Sequence, residues 1–140
     1  MMASERILVV DDDRLIVMII ESVLKKEGYE VYTASNGKEG LNKAREVKPN
    51  LMILDIMMPE MDGYEVCHCL KRDPDTADIA VLVLTAKADV ENAKTSWQRV
   101  GHVQDGPRGS DIGAADFMIK PVKTRDLVQR VKALLWVGSL

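Results

Sequence analysis

The hydrophobic positions of this chain follow two patterns that alternate along the sequence. Short runs in which every residue is apolar occur at 7–10, 51–54 and 79–84, and each run ends at a polar residue. Runs without polar alternation are typical of parallel strands that are covered on both faces. Between the runs, apolar residues recur three or four positions apart, as in helices with one buried face. The pattern therefore predicts alternating strands and helices.

Five strands and five helices can be placed in this way. The predicted strands are 7–10, 31–34, 51–54, 79–84 and 115–119. The predicted helices are 14–26, a segment between Asn36 and Pro49, a segment from Gly63 to Lys71, a segment from Asp89 to Val100, and a final helix from about Thr124. Asp13 is interpreted as the cap of the first helix, and Gly28 as its stop. Strict alternation predicts an α/β fold, with helices on both faces of a parallel sheet and right-handed crossovers.

Polar side chains with complementary chemistry stand at the ends of the predicted strands. Asp11 and Asp12 follow the first strand, Asp55 the third, Thr85 the fourth and Lys120 the fifth. Because parallel strands present their carboxyl ends at one edge of the sheet, we expect these residues to converge. Carboxylates placed together repel unless a cation neutralises them, and hard oxygen ligands favour Mg²⁺. The sequence therefore predicts a Mg²⁺ site at this edge.

The same set of residues suits the transfer of a phosphoryl group. An aspartate can serve as the nucleophile and form an aspartyl phosphate, which assigns this role to Asp55. A metal ion would neutralise phosphoryl oxygens, while Lys120 and the hydroxyl of Thr85 would hold the others. Taken alone, Asp55 could equally be an ordinary aspartate that caps a loop.

Composition limits the range of functions further. The 140 residues, 46% of them hydrophobic and 29% charged, fit one domain spanning 1–140. A net charge of -3 provides no basic surface for nucleic acid or an anionic membrane. The sequence shows no signal peptide and no apolar run long enough to cross a bilayer. We therefore expect a cytoplasmic protein without a direct nucleic acid or membrane partner.

Four segments in order along the chain carry a family resemblance. They read ILVVDDD, LMILDIMMPEMDG, VLVLTAK and FMIKPV. Together they resemble the receiver domain of response regulators in two-component signalling systems, similar to the stand-alone regulators of chemotaxis. The resemblance implies a flavodoxin-like, doubly wound (βα)₅ fold with strand order 2-1-3-4-5. It also implies phosphorylation of the aspartate in the third strand by a sensor histidine kinase.

Roles for individual residues follow from the resemblance. On the metal side, Asp55 resembles the phosphoacceptor, Asp12 a direct Mg²⁺ ligand and Asp11 an acid that acts on the metal partly through water. Met57 would contribute its backbone carbonyl to the metal.

Three further residues resemble the family's phosphoryl-binding and switch positions. Thr85 resembles the hydroxyl that moves toward the phosphoryl group, and Lys120 resembles the lysine that pairs with it. Phe117 resembles the aromatic residue that changes rotamer on activation, although plain core packing is the alternative. These three residues would couple phosphorylation to the surface of the domain.

One segment departs from the family pattern. Between Thr85 and Lys120 the chain is roughly a dozen residues longer than is usual, and the excess falls at 101–113, which is rich in glycine. We interpret it as an inserted loop between the fourth helix and the fifth strand. As a hypothesis, this loop tunes the choice of partner.

The functional expectation is a stand-alone phosphorelay module that catalyses only its own phosphorylation and dephosphorylation. Phosphorylation would change the surface formed by the fourth helix, fifth strand and fifth helix. Partners would be a sensor histidine kinase and a downstream protein or histidine phosphotransfer protein. Three alternatives remain. A Mg²⁺-dependent phosphohydrolase is disfavoured because position 57, where a general acid is needed, is methionine. A flavin mononucleotide binder is disfavoured by the acids after the first strand, and the third alternative is a receiver that binds partners without phosphorylation.

Overall fold

The computed structural model describes residues 4–58, 60–86 and 114–138, and it has the predicted alternation of elements. The elements are β1 (Arg6–Val10), α1 (Arg14–Lys26), β2 (Glu30–Ala34), α2 (Gly37–Val47), β3 (Leu51–Asp55), α3 (Gly63–Arg72), β4 (Ala80–Ala86), β5 (Asp116–Lys120) and α4 (Thr124–Gly138). The helix predicted from Asp89 to Val100 and the loop predicted at 101–113 lie outside the described residues. The predicted final helix is therefore α4 here.

The five strands form one parallel sheet in the order β2-β1-β3-β4-β5. The predicted doubly wound topology and strand order are thereby confirmed. Asp55 pairs with Leu84, and Thr85 pairs with Ile119. This register places the last residues of β3, β4 and β5 side by side at one edge of the sheet.

Helices cover both faces of the sheet, and each face has its own apolar core. On one face α2 and α3 pack over alternate strand residues such as Val10 and Leu54. On the other face α1 and α4 pack over their neighbours, such as Val9 and Ile53. Every residue of β3 is buried. The central strands therefore need apolar side chains at consecutive positions, which is the pattern that the sequence shows.

Side-chain caps fix the starts of the helices. The carboxylate of Asp13 accepts hydrogen bonds from the first-turn N–H groups of α1, and Asn36 accepts one from Glu39 at 2.8 Å. The Glu39 carboxylate binds Ser35, one residue before the cap. Gly28 follows α1 with a φ of +93°, which glycine adopts without steric cost. These contacts confirm the predicted cap and stop residues of the first helix.

Two details differ from the sequence prediction. β4 continues to Ala86, so Thr85 lies inside the strand instead of after it. In α1, Leu15 and Met18 are 66% and 62% exposed, although both belong to the apolar positions that recur with helical spacing. The apolar positions of α1 cover more than one side of the helix, and only the side of Ile20 and Leu24 faces the sheet. Periodicity alone does not distinguish between the two sides.

None of the described helices is long and apolar enough to span a membrane.

Candidate functional site

The carboxyl edge of the sheet carries a group of buried polar side chains. Asp11 follows β1, Asp55 ends β3, Thr85 lies near the end of β4 and Lys120 ends β5. Asp11, Asp55 and Thr85 are between 1% and 4% exposed, although the core around them is apolar. Polar residues are rarely buried so completely unless they are paired or functional. The strand ends therefore form one connected polar site.

Three carboxylates meet at this edge. Asp11, Asp12 and Asp55 each place one carboxylate oxygen within 4.8 Å of the others, and Asp12 is the exposed member. The ammonium of Lys120 donates to Asp55 Oδ1 at 3.1 Å and to Asp11 Oδ2 at 3.3 Å. With all four groups ionised, the cluster has a net charge of about -2, because one lysine faces three acids.

Burial and neighbouring charges change the protonation of the cluster. Burial raises the pKa of Asp55 from 3.8 to about 6, and the Asp11 carboxylate adds to the increase. Lys120 and the backbone N–H of Met57 oppose this increase by hydrogen bonding to Asp55. Burial by itself lowers the pKa of Lys120, but Asp55 and Asp11 raise it overall. Lys120 is thus held as a cation next to a carboxylate that is costly to ionise.

The loops after β1 and β3 position the two buried acids. The backbone N–H of Asp13 donates to Asp11 Oδ1 at 2.9 Å, while the Asp13 side chain caps α1. After β3, Met57 directs its N–H at Asp55 and leaves its side chain 53% exposed. The start of α1 and the β3–α3 loop thus determine where the carboxylates lie.

Thr85 and Phe117 lie on β4 and β5, the two strands that follow β3 in the sheet order. The Thr85 hydroxyl donates to the carbonyl of Ala86 at 3.2 Å. Phe117 is half-buried against the core on the α2–α3 face, and its N–H donates to Asp116 Oδ1 at 2.8 Å. Asp116 in turn forms an ion pair with Arg130 of α4. The structure brings Asp11, Asp12, Asp55 and Lys120 together directly, with Thr85 on the adjacent strand.

Gly63 follows Asp62 in an Asp-Gly pair, which is typical of a turn, and it also positions the site. Its N–H donates to the carbonyl of Ile56 at 2.8 Å. A Cβ at this position would lie 2.8 Å from both the backbone oxygen of Asp55 and Cα of Ile56. Only glycine allows α3 to begin so close to the end of β3. The Asp-Gly pair indicated a turn, but no sequence signal indicated this close approach.

The donor set fits a hard divalent cation. Three carboxylates with a net excess of negative charge favour a bound cation, and Mg²⁺ binds oxygen ligands of this type. Asp55 would then have a metal on one side and an ammonium on the other. This arrangement suits a carboxylate that reacts with a phosphoryl group.

Comparisons with known proteins agree with this geometry. The family model described as the response regulator receiver domain matches residues 7–132. The chain is 40% identical over 130 residues to the DNA-binding dual master transcriptional regulator RpaA of Synechocystis sp., covering 93% of this chain and 48% of RpaA. It is 41% identical over 132 residues to the alkaline phosphatase synthesis transcriptional regulatory protein PhoP of Bacillus subtilis, covering 94% of this chain and 49% of PhoP.

A solved structure is also similar along nearly the whole chain. The response regulator receiver domain protein (CheY-like) from Methanospirillum hungatei JF-1 is 30% identical, with a TM-score of 0.81 and 98% of both chains covered. The chain spans about half the length of the curated relatives it matches.

Replacing Asp55 with asparagine should change how stability depends on pH. Because the folded-state pKa is raised, the folded protein binds more protons than the unfolded chain between about pH 4 and pH 6, and wild-type stability falls as pH rises through that window. Asparagine does not titrate, so the Asp55→Asn variant does not lose stability in this way as pH rises. In metal-free buffer we expect its free energy of unfolding at pH 7 to exceed that of wild type by about 1–2 kcal/mol, after allowance for solvent screening.

Denaturant unfolding from pH 4 to pH 7 measures this difference, and Asp12→Asn, which removes the exposed acid, is the control. An Asp55→Asn advantage that does not grow with pH would contradict the assignment.

Replacing Gly63 with alanine should disturb the site as well as the fold. The added Cβ forces the backbone of Asp55 and Ile56 to shift, which moves the Asp55 carboxylate away from Lys120. Gly28→Ala is the matched control, because it strains a left-handed residue with nothing within 4 Å of the new Cβ. We expect both variants to lose about 1 kcal/mol or more of stability. Only Gly63→Ala should move the carboxyl NMR resonance of Asp55, and equal shifts in both variants would refute the positioning role.

Proposed function

The chain belongs to the response regulator receiver domain family, and we propose that it accepts a phosphoryl group on Asp55 from a sensor histidine kinase, with Mg²⁺ as cofactor. The observation that carries this proposal is the buried Asp55 carboxylate, which lies between two further acids and a lysine 3.1 Å away. An aspartate that attacks a phosphoryl group needs cations nearby to offset the negative charge that meets there.

The metal side of the reaction uses the acids and one backbone group. Asp11, Asp12 and Asp55 would hold Mg²⁺ together with the backbone carbonyl of Met57. The bound cation would neutralise negative charge on the phosphoryl oxygens. It would also oppose the effect of burial, which raises the pKa of Asp55 to about 6, and would so favour the ionised carboxylate. An ionised Asp55 is the form that can act as a nucleophile.

The transfer step forms one bond to phosphorus and breaks another. An Asp55 carboxylate oxygen attacks phosphorus as the bond from phosphorus to the donor histidine nitrogen breaks, and that nitrogen keeps the electron pair. Lys120 is already within hydrogen-bonding distance of Asp55, so its ammonium can follow the charge onto a phosphoryl oxygen. No residue of the chain needs to give or take a proton in this step. Catalysis consists mainly of positioning and electrostatics.

Signalling would begin at Thr85. Its hydroxyl donates to Ala86 in the present structure, and it would turn to the phosphoryl group once that group offers a stronger acceptor. Phe117, half-buried on the neighbouring strand, would change rotamer as Thr85 moves. The surface formed by the predicted fourth helix, β5 and α4 would then favour its active arrangement. Phosphorylation would act by shifting an equilibrium between two arrangements of this surface.

The partner of the phosphorylated state would be a downstream protein or a histidine phosphotransfer protein. The two relatives named above are transcriptional regulators by name, so control of transcription is one candidate output. In this proposal the chain contacts a protein partner, and any effect on DNA passes through that partner or another part of the protein. The inserted loop predicted at 101–113 would influence which partner the chain binds.

Incubation with acetyl phosphate and Mg²⁺, followed by intact mass measurement, tests the proposal. We expect wild type to gain one phosphoryl group and Asp55→Asn to gain none. Lys120→Ala should gain it much more slowly, because the developing charge loses its ammonium. Asp13→Asn, which keeps the cap of α1, is the control that should react as wild type does. Equal labelling of wild type and Asp55→Asn would overturn the assignment.

The lifetime of the phosphorylated state should depend on position 57. The Met57 side chain is exposed beside Asp55, and a thioether cannot orient water for attack on the phosphoryl group. We expect slow loss of phosphate in wild type and in the control Met57→Leu. Met57→Glu should lose phosphate about tenfold faster, as expected for a group that assists water. Radiolabel decay measures the rates; equal half-lives for the three proteins would refute this role for position 57.

A further inference from the structure

A cavity lies near Lys120 of the acid cluster, between α1 and the segment that joins β5 to α4. It has a volume of about 190 Å³ within the described part of the chain. Its walls are mainly aliphatic and include Ile16 and Ile20 of α1, Leu84 of β4 and Leu127 of α4. Lys120 is the one charged residue among its lining residues.

The walls of this cavity give water few partners. A stable buried water needs two to four polar partners, and the only polar side chains among the lining residues are those of Thr124 and Lys120. A comparable apolar cavity of about 150 Å³ accommodates benzene. The present cavity could therefore hold a small aromatic molecule. Ile19, which also lines it, is 45% exposed and marks the side that is open to solvent.

Charge restricts the ligand further. The Lys120 ammonium already donates to Asp55 and Asp11, and the three nearby acids outnumber it. A bound anion would gain little from this lysine and would be repelled by the carboxylates. A cation would have to leave water for mainly aliphatic walls, which costs more than its attraction to the acids returns. An uncharged molecule avoids both penalties.

We propose that this cavity is a binding site for small, uncharged, apolar molecules of one ring or two fused rings. The bound molecule would pack on Ile16, Ile19 and Val122, which are not buried, and would touch the side chain of Lys120. The site is separate from the phosphoryl group, and its existence does not depend on phosphorylation of Asp55.

Titration of the ¹⁵N-labelled chain with indole tests the proposal, with benzyl alcohol and benzoate as companion probes. We expect indole and benzyl alcohol to give saturable amide shifts centred on α1 and the start of α4. Benzoate, which matches benzyl alcohol in size but carries a charge, should bind at least tenfold more weakly. Shifts that do not saturate, or benzoate binding as tightly as benzyl alcohol, would overturn the proposal.

Variants that fill the cavity locate the site. Ile16→Phe places a larger side chain in it, and Val122→Phe fills it from the segment between β5 and α4. Each should weaken indole binding at least tenfold. Val128→Phe makes a similar enlargement on α4 at a half-buried position outside the cavity lining, and should bind as wild type does. Circular dichroism identifies the filled variants that fold, and undiminished indole binding in a folded one would refute the site.

Discussion

The structure depends on burying like charges where parallel strands end. Asp11 and Asp55 are almost fully buried, and their oxygens lie within 4.8 Å of each other and of Asp12. One lysine, contributed by the last strand of the sheet, offsets part of that charge. A fold that maximised stability would avoid this arrangement, because each buried carboxylate costs desolvation and repulsion. The remaining elements hold it in place: two apolar cores fix the strands, and Gly63 and the first turn of α1 fix the two loops.

The cost of burying these carboxylates also explains the proposed chemistry. A carboxylate with a pKa near 6 keeps a minor protonated fraction at neutral pH, and a nearby cation would reduce that fraction further. Phosphorylation would replace one charged group with another that carries more oxygens. Lys120 and Thr85 lie on the two strands next to Asp55 in the sheet order, and both can respond to that change. The stability lost by burying these charges would thus be linked to control of the surface around β5.

Much of this could be predicted from sequence because parallel strands impose a simple rule. Consecutive apolar residues identified β1, β3 and β4, and the polar residue at each strand end showed where the site must form. The exposure of Leu15 and Met18 could not be predicted, since periodicity marks apolar positions on a helix without saying which side meets the sheet. The role of Gly63 depends on the backbone of Asp55 and Ile56, which a Cβ at position 63 would approach to 2.8 Å, and this leaves no pattern in a single sequence. The hydrogen bond from Thr85 to Ala86 depends on a side-chain rotamer, which the strand pattern does not determine.

The central claim is that burial makes Asp55 a carboxylate whose ionisation is governed by a cation. The most direct measurement is the pKa of the Asp55 carboxyl by ¹³C NMR, with and without Mg²⁺. The account predicts a value near 6 in metal-free buffer and a clear decrease when Mg²⁺ is added. A value near that of an ordinary aspartate that does not respond to Mg²⁺ would contradict it.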